Sequence, residues 1–563
     1  MKIIPIYLLN LIFWSIIILS CNRSAEKKKH EAPKSSPKII NIVNFIRQIE
    51  PRDEKITNDV LYQTVVKQIE SMKKYELKGT FLLQYDALMD KKYQELLKEL
   101  PKKSFEIGAW WEIPQPLVEK AGLKWRGRFP WDWHPDVGFS TGYTPQEREK
   151  LVDVYMEDFK EIYGYYPKSI ASWFIDTHTL NYLYEKYHIM ASANCKDQFG
   201  TDGYTLWGGY WNQAYYPSKL NSFMPAQNEE NQIPVPVFRM LGSDPVRQYD
   251  TGLQSERQGV ITLEPVYKDA GGNKAWVDWY FKEFIEGEAM EFAYTQAGQE
   301  NSFTWDGMKD GFEIQMPLIA KLRDEGKVKV ETLKESGNWF KKNYKITPAT
   351  SVTVTEDLGD SNLKTVWFNS RFYRLNLLWD EGSLRFRDIH LFDENIPSPY
   401  LNKKLETNKA LFFTQPIVDG YLWSTKEEFA GLRFNTKIDG QITALKGGTP
   451  EVNSPQKGEL HISWPLNDGN GIMKMKITES EITITLENSK IDTWFLDLTA
   501  PINAAELPFK SIQKEVIKSE FQDKKYSLKA LQGQFSVPNS DIIYRITPEN
   551  NTIKLDLSER QSI

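Results

Sequence analysis

The chain has 563 residues, of which 26% are charged and 40% hydrophobic, with a formal net charge of -6. That length exceeds what one hydrophobic core serves, so two or more domains are expected. The mild acidity leaves no electrostatic footprint for nucleic acid. Two cysteines, Cys21 and Cys195, exclude a disulfide framework and a Cys-rich metal site. The outlier is the aromatic content, 18 Trp and 27 Tyr, many of them between Trp110 and Trp211. Aromatic faces packing on the C–H faces of sugar rings would explain a density that core packing explains only in part.

Lys2 precedes an apolar run, Ile3 to Leu19, too compact for an ordinary membrane span. The run ends Ile18-Leu19-Ser20-Cys21, which resembles the lipobox of bacterial lipoproteins. The resemblance implies a signal peptide over 1–21, cleavage before Cys21, lipid on that cysteine and a place in the bacterial cell envelope. Residues 22–37, with Lys27-Lys28-Lys29 and several serines, read as a flexible tether.

Strand signals follow at Lys38 to Phe45, Gly79 to Leu83 and Ser104 to Ala109, with helical spacing between them from Asp59 to Tyr75 and Asp90 to Leu100. A long aromatic loop, Ile113 to Tyr143, precedes a helix from Pro145 to Tyr163 with the capping-box pair Thr144 and Glu147. Ser169 to Ile175 is predicted as a strand ending at Asp176. Helical spacing from Thr179 and a strand from His188 to Ala193 come next. Asp176 reads either as a functional carboxylate at a strand end or as the cap of that helix. After a second long loop, Lys196 to Gln232, apolar runs at Val235 to Leu241, Gly259 to Leu263, Met290 to Gln296 and Val328 to Val330 alternate with helices up to Tyr344. Beyond about residue 346, β-branched alternating runs such as Ser351 to Glu356, Gly458 to Ser463, Met473 to Thr478 and Glu481 to Leu486 predict an all-β region, best read as a sandwich. The expected organisation is therefore α/β: a barrel over 38–345 followed by a β-sandwich over 346–563.

Trp173-Phe174-Ile175-Asp176, with Leu180, Leu183 and His188-Ile189, resembles the fourth-strand motif of the glycoside hydrolase/deacetylase superfamily of (β/α)7 barrels. That group includes α-glucan-active hydrolases, class II α-mannosidases and polysaccharide deacetylases. The resemblance gives Asp176 the role of nucleophile. Phe105 to Ile113, FEIGAWWEI, is similar to the deacetylase stretch His-Glu-Ile-Gly-x-His, but Trp110 and Trp111 stand where the histidines would be. The first strand carries Asn41 and Asn44 in place of paired aspartates, so the Zn²⁺ ligands of a deacetylase are missing.

Glycosidic hydrolysis needs two carboxyl groups flanking the bond. Acids at predicted strand ends are Glu112, Asp176, Asp244, Glu264 and Glu300. The reading pairs Asp176 as nucleophile with Glu300 as acid and holds Glu112 in reserve. Asp244-Pro245 and Glu264-Pro265 read as turns. Arg47, Trp111, Trp133, His134, His178, Asp197, Trp207 and Gln213 are candidate substrate-lining residues. A metal set of His134, Asp136, Asp176 and His178 is conceivable but has no ligand spacing behind it, and no cofactor is expected. The expected protein is a lipid-anchored glycoside hydrolase acting on a carbohydrate. Its rivals are a non-catalytic glycan-binding lipoprotein and a metal-dependent carbohydrate deacetylase or esterase.

Overall fold

In the computed structural model, which describes residues 36–539 and 541–558, a nine-stranded sheet built mainly of parallel strands curls into a barrel-like wall. Its parallel strands are β1 (Lys38–Ile46), β2 (Gly79–Leu83), β3 (Phe105–Trp110), β4 (Ser169–Ala171), β5 (Ala191–Asn194), β6 (Val237–Arg239), β7 (Ala293–Ala297) and β8 (Lys329–Glu331). They pair in the order β7-β1-β2-β3-β4-β5-β6, with β8 also on β1, and the wall is open between β6 and β7. β1 to β5 and β7 are buried along nearly their whole length, as parallel strands covered on both faces must be.

The helices that cover the wall include α1 (Asn58–Lys74), α2 (Pro145–Tyr163), α3 (Thr177–Tyr187), α4 (Lys274–Glu286), α5 (Trp305–Asp324) and α6 (Leu333–Asn343). α2 starts on the expected reciprocal capping box of Thr144 and Glu147 and stops at Gly164, whose φ of +81° reverses the chain.

Three expected strands are corrected. The fourth strand ends at Ala171 rather than Ile175, and the next begins at Ala191 because His188 takes the left-handed position that closes α3. Gly259 to Leu263 is not a barrel strand: outside one bridge, Ser243 to Thr262, its backbone is held by turn bonds and by a side chain. Gln248 donates from Nε2 to the Gly259 carbonyl (2.7 Å) and accepts from the Ile261 N–H (2.5 Å), so the segment needs no neighbouring strand.

Beyond Ile346 the chain forms two separate antiparallel sheets, one of ten strands and one of eight. In the eight-stranded sheet burial alternates: Leu460, Ile462 and Trp464, then Met473, Met475 and Ile477, point inward. They join Val366, Phe368 and Leu375 of the ten-stranded sheet in one apolar cluster. Strand Lys364–Asn369 is buried on both faces, because Trp367 points the other way and stacks on Trp211 at 3.8 Å. From Pro37 onward the described residues pack as one compact unit. Among the described residues no helix is long and apolar enough to cross a membrane. The signal segment with Cys21, and the tether up to Ser35, lie outside the described residues.

Candidate active site

At the C-terminal ends of β1 and β3, each segment delivers an aromatic side chain followed two residues on by a charged one, of opposite sign in the two. Side chains two apart on a strand share a face. Phe45 and Trp110 stack at 4.0 Å with ring planes 6° apart, and Trp173 meets both edge-on. Two residues further along each chain, Arg47 and Glu112 meet: Arg47 Nη2 lies 3.2 Å from Glu112 Oε2. The same nitrogen lies 2.9 Å from Glu300 Oε2. Arg47 Nη1 reaches Glu50 at 3.3 Å, and the guanidinium sits 3.9 Å over the Trp131 ring. One cation thus gathers three carboxylates on an aromatic floor, with Glu112 1% and Glu300 4% exposed.

The backbone around this group is clamped. Asn301 accepts from the Arg47 N–H (3.0 Å) and donates to its carbonyl (2.9 Å), tying β1 to the turn after β7. Asp86 accepts from the N–H groups of Gln48 and Ile49. Gly298, at φ +101°, lets that turn pass against β1: a Cβ there would lie 2.2 Å from the Val43 carbonyl. Beside the pair, Gln299 donates to Glu264 (2.9 Å) and Ser302 to Glu300 (2.5 Å).

Burial pushes the Glu112 carboxyl up to about 7, against the pull of Arg47 and with a further push from Glu300. The Trp110 indole N–H is turned to this carboxyl and opposes the rise, while the indole N–H of Trp131 has no hydrogen-bond partner among the described residues. Burial also raises Glu264, helped by Glu300, while Lys196 opposes. The rim toward solvent is Arg52, whose Nη2 bonds Glu50 at 2.6 Å and stands 3.9 Å from Glu300, together with Trp133. Trp133 stacks on Phe129 and has the Arg128 guanidinium over its ring and His134 at its edge.

Of the expected site residues, Arg47, Glu112, Glu300, Trp133 and His134 therefore fall in or beside one cluster. Asp176 does not join it. It is fully buried, pairs with Arg148 at 2.8 Å, and accepts from Ser140 (2.6 Å) and from the hydroxyl and N–H of Thr179 (2.6 and 3.0 Å). Burial alone would raise this carboxyl, but Arg148 and the two hydroxyls outweigh it and hold it below the usual range. It caps α3 and has no free lone pair for chemistry. Among the described residues Asp176 makes its bonds to Arg148, Ser140 and Thr179, whereas Glu112 and Glu300 meet at Arg47.

Trp111 is core, edge-on to Tyr155. His178 bonds Glu149 (3.0 Å) on the helical layer. Asp197 is buried between Arg239 and Arg374. Trp207 donates to Asp419 (2.9 Å). Gln213 spans the open seam: its carbonyl accepts from the Arg239 N–H and its Oε1 from the Tyr294 N–H, both 2.9 Å. Among the described residues no group of three or more His, Cys, Asp or Glu side chains is arranged to hold a metal ion, and the set of His134, Asp136, Asp176 and His178 is dispersed. Sequence reading passed over Glu50, Arg52, Trp131 and Ser302. The closely spaced Arg47, Glu50 and Arg52 just after β1 were the available signal.

Comparison with known proteins places a domain of unknown function with a solved structure, DUF3863, over residues 134–360. No curated protein matches. Among solved structures, a candidate glycoside hydrolase/deacetylase of Parabacteroides distasonis is similar at 18% identity and a TM-score of 0.49, over 68% of this chain and 89% of that one. A candidate polysaccharide deacetylase of Mycobacterium smegmatis is similar at 11% identity and a TM-score of 0.35, over 58% and 96% of the two chains. A 4-alpha-glucanotransferase of Thermococcus litoralis is similar at 9% identity and a TM-score of 0.31, over 92% and 99%.

Proposed function

We propose that the protein is a carbohydrate-active enzyme, a glycoside hydrolase in which Glu112 is the general acid and Glu300 the nucleophile. The observation that carries this reading is the meeting of two buried carboxylates from separate strand ends at one guanidinium, with one of the pair pushed up to about 7. A carboxyl group with that value holds its proton near neutral pH and can give it to a departing glycosidic oxygen. Glu300, held by Arg47 and Ser302, presents the carboxylate to the anomeric carbon. The nearest oxygens of the pair lie 3.2 and 2.9 Å from the same nitrogen. That keeps them closer than the roughly 6.5–9.5 Å an inverting pair needs for its water. The reaction class is thus double displacement: Glu300 forms a glycosyl ester as Glu112 protonates the leaving oxygen. Glu112 then takes a proton from the water that releases the sugar. Access to the pair passes the rim formed by Arg52 and Trp133.

From the sequence alone, the same proposal includes lipid on Cys21 and a location in the cell envelope. The enzymatic part is tested by assaying the protein against aryl glycosides and defined oligosaccharides. Glu112→Gln and Glu300→Gln should each lower kcat by about 10²–10⁴-fold with the fold retained. Azide should rescue Glu300→Ala on an aryl glycoside and yield a glycosyl azide. A folded wild-type protein that turns over no glycoside in the panel would overturn the reading.

A further inference from the structure

Far along the chain from the carboxylate pair, a groove of about 410 Å³ runs between residues 396–415 and the hairpin that turns at residues 521–524. That volume is within the roughly 300–1,000 Å³ of small-ligand clefts. Its lining is unusual for a chain of net charge -6. Two lysines, Lys403 and Lys524, border it and no Asp or Glu does. Neither amine is paired with a carboxylate among the described residues. Asp523 lies in the same exposed turn but does not line the groove. Phe413 and Phe521 meet edge-to-face at 5.8 Å, and Leu411 beside them is 42% exposed. Four carboxamides, Asn221, Asn402, Gln415 and Gln522, supply donors and acceptors. Gln415 is buried, and its side-chain oxygen accepts no hydrogen bond from the described residues.

We propose that this groove is a second carbohydrate-binding site, and that its ligand is an acidic oligosaccharide carrying uronate carboxylates. The phenyl rings offer faces to the C–H side of a sugar, the carboxamides reach hydroxyl groups, and the two free amines match carboxylates. Strand Ala410–Phe413, which pairs with Tyr204–Trp207 along one side, is poorly suited to capturing an extended peptide by its backbone. The Leu411 N–H already donates to the Tyr400 hydroxyl at 2.8 Å. The proposal takes from the preceding reading only that the protein handles carbohydrate, and its test reads binding rather than turnover.

The full chain is titrated calorimetrically with hexamers of galacturonate, glucuronate and mannuronate, with a neutral glucose hexamer, and with hexaglutamate. At least one uronate hexamer should bind, more weakly as salt is raised, and more tightly than both the neutral sugar and the acidic peptide. Lys403→Ala with Lys524→Ala should weaken it about tenfold. Phe413→Ala with Phe521→Ala should remove it. Any turnover at Glu112 and Glu300 should be unchanged in the lysine variant. Failure of all three uronates to bind, equal binding of hexaglutamate, or an affinity untouched by the lysine substitutions would overturn the proposal.

Discussion

Glu112 couples the site to pH in two measurable ways. Its carboxyl rises from the ordinary 4.5 to about 7 through burial, so between those values the folded chain binds a proton that the unfolded chain has released. Stability conferred by that proton is full at low pH and falls as pH rises through about 7, by on the order of 3 kcal/mol. Urea denaturation should show wild-type stability dropping from pH 5 to pH 8, with the slope flattened in Glu112→Gln. If Glu112 is the acid, kcat/KM should fall over the same alkaline limb. Asp176 behaves oppositely. Its carboxyl is held low, so its contribution is present at neutral pH and is lost as pH falls through the acid range. Asp176→Ala leaves Arg148 buried without its partner and should cost about 3–5 kcal/mol. Thermal melts should reveal that loss, and turnover measured well below the lowered Tm should be affected far less than by Glu300→Gln.

At the level of elements, the decisive feature is the seam between β6 and β7. Beside β6 stands the two-residue antiparallel strand Ala214–Tyr215, and two glutamines add to the bonding around it. Gln213 bridges the Arg239 and Tyr294 N–H groups, and Gln248 holds Gly259 and Ile261. The Gln213 carbonyl takes the Arg239 N–H, while the two side chains replace ladder bonds at Tyr294, Gly259 and Ile261, which satisfies the backbone without closing the wall. Gln213→Leu would strand the buried Tyr294 N–H and should destabilise the protein by about 1–3 kcal/mol. Hydrogen exchange should show faster opening confined to β7. Unchanged exchange there would mean that the seam is held by other contacts. The clamp of Asn301 on Arg47 works in the same way and fixes β1 to the turn that carries Glu300.

For the whole molecule, residues after 346 complete the barrel side rather than merely follow it. Arg374 neutralises Asp197, Trp367 covers Trp211, and strand Ala410–Phe413 pairs with Tyr204–Trp207. Residues 38–345 alone would expose Trp207 and Trp211 and leave the buried Asp197 with Arg239 only. That fragment should be insoluble or lack near-ultraviolet circular dichroism, and a soluble, cooperatively melting fragment would contradict this account. At the other end of the chain, Cys21→Ala should abolish incorporation of a fatty-acid label and leave an uncleaved precursor. Absence of label on the wild type would remove the proposed anchor.

The alternation of apolar runs and helical spacing along 38–345, and the β-branched runs after 346, made the two kinds of architecture legible, because burial on one face or both imposes its own period. The capping box at Thr144 and the strand-end position of Glu112 and Glu300 were equally local. What residue spacing could not decide was which strand-end acid faces which partner. Asp176 satisfies every local criterion for chemistry, yet Arg148, 28 positions away, and two hydroxyls occupy its oxygens. Glu112 and Glu300 share a nitrogen although they lie far apart along the chain, through an arginine whose position depends on Asn301. Hydrophobic pattern is set by neighbours in sequence. The charge state and company of a buried carboxylate are set by whichever groups folding brings within a few ångströms.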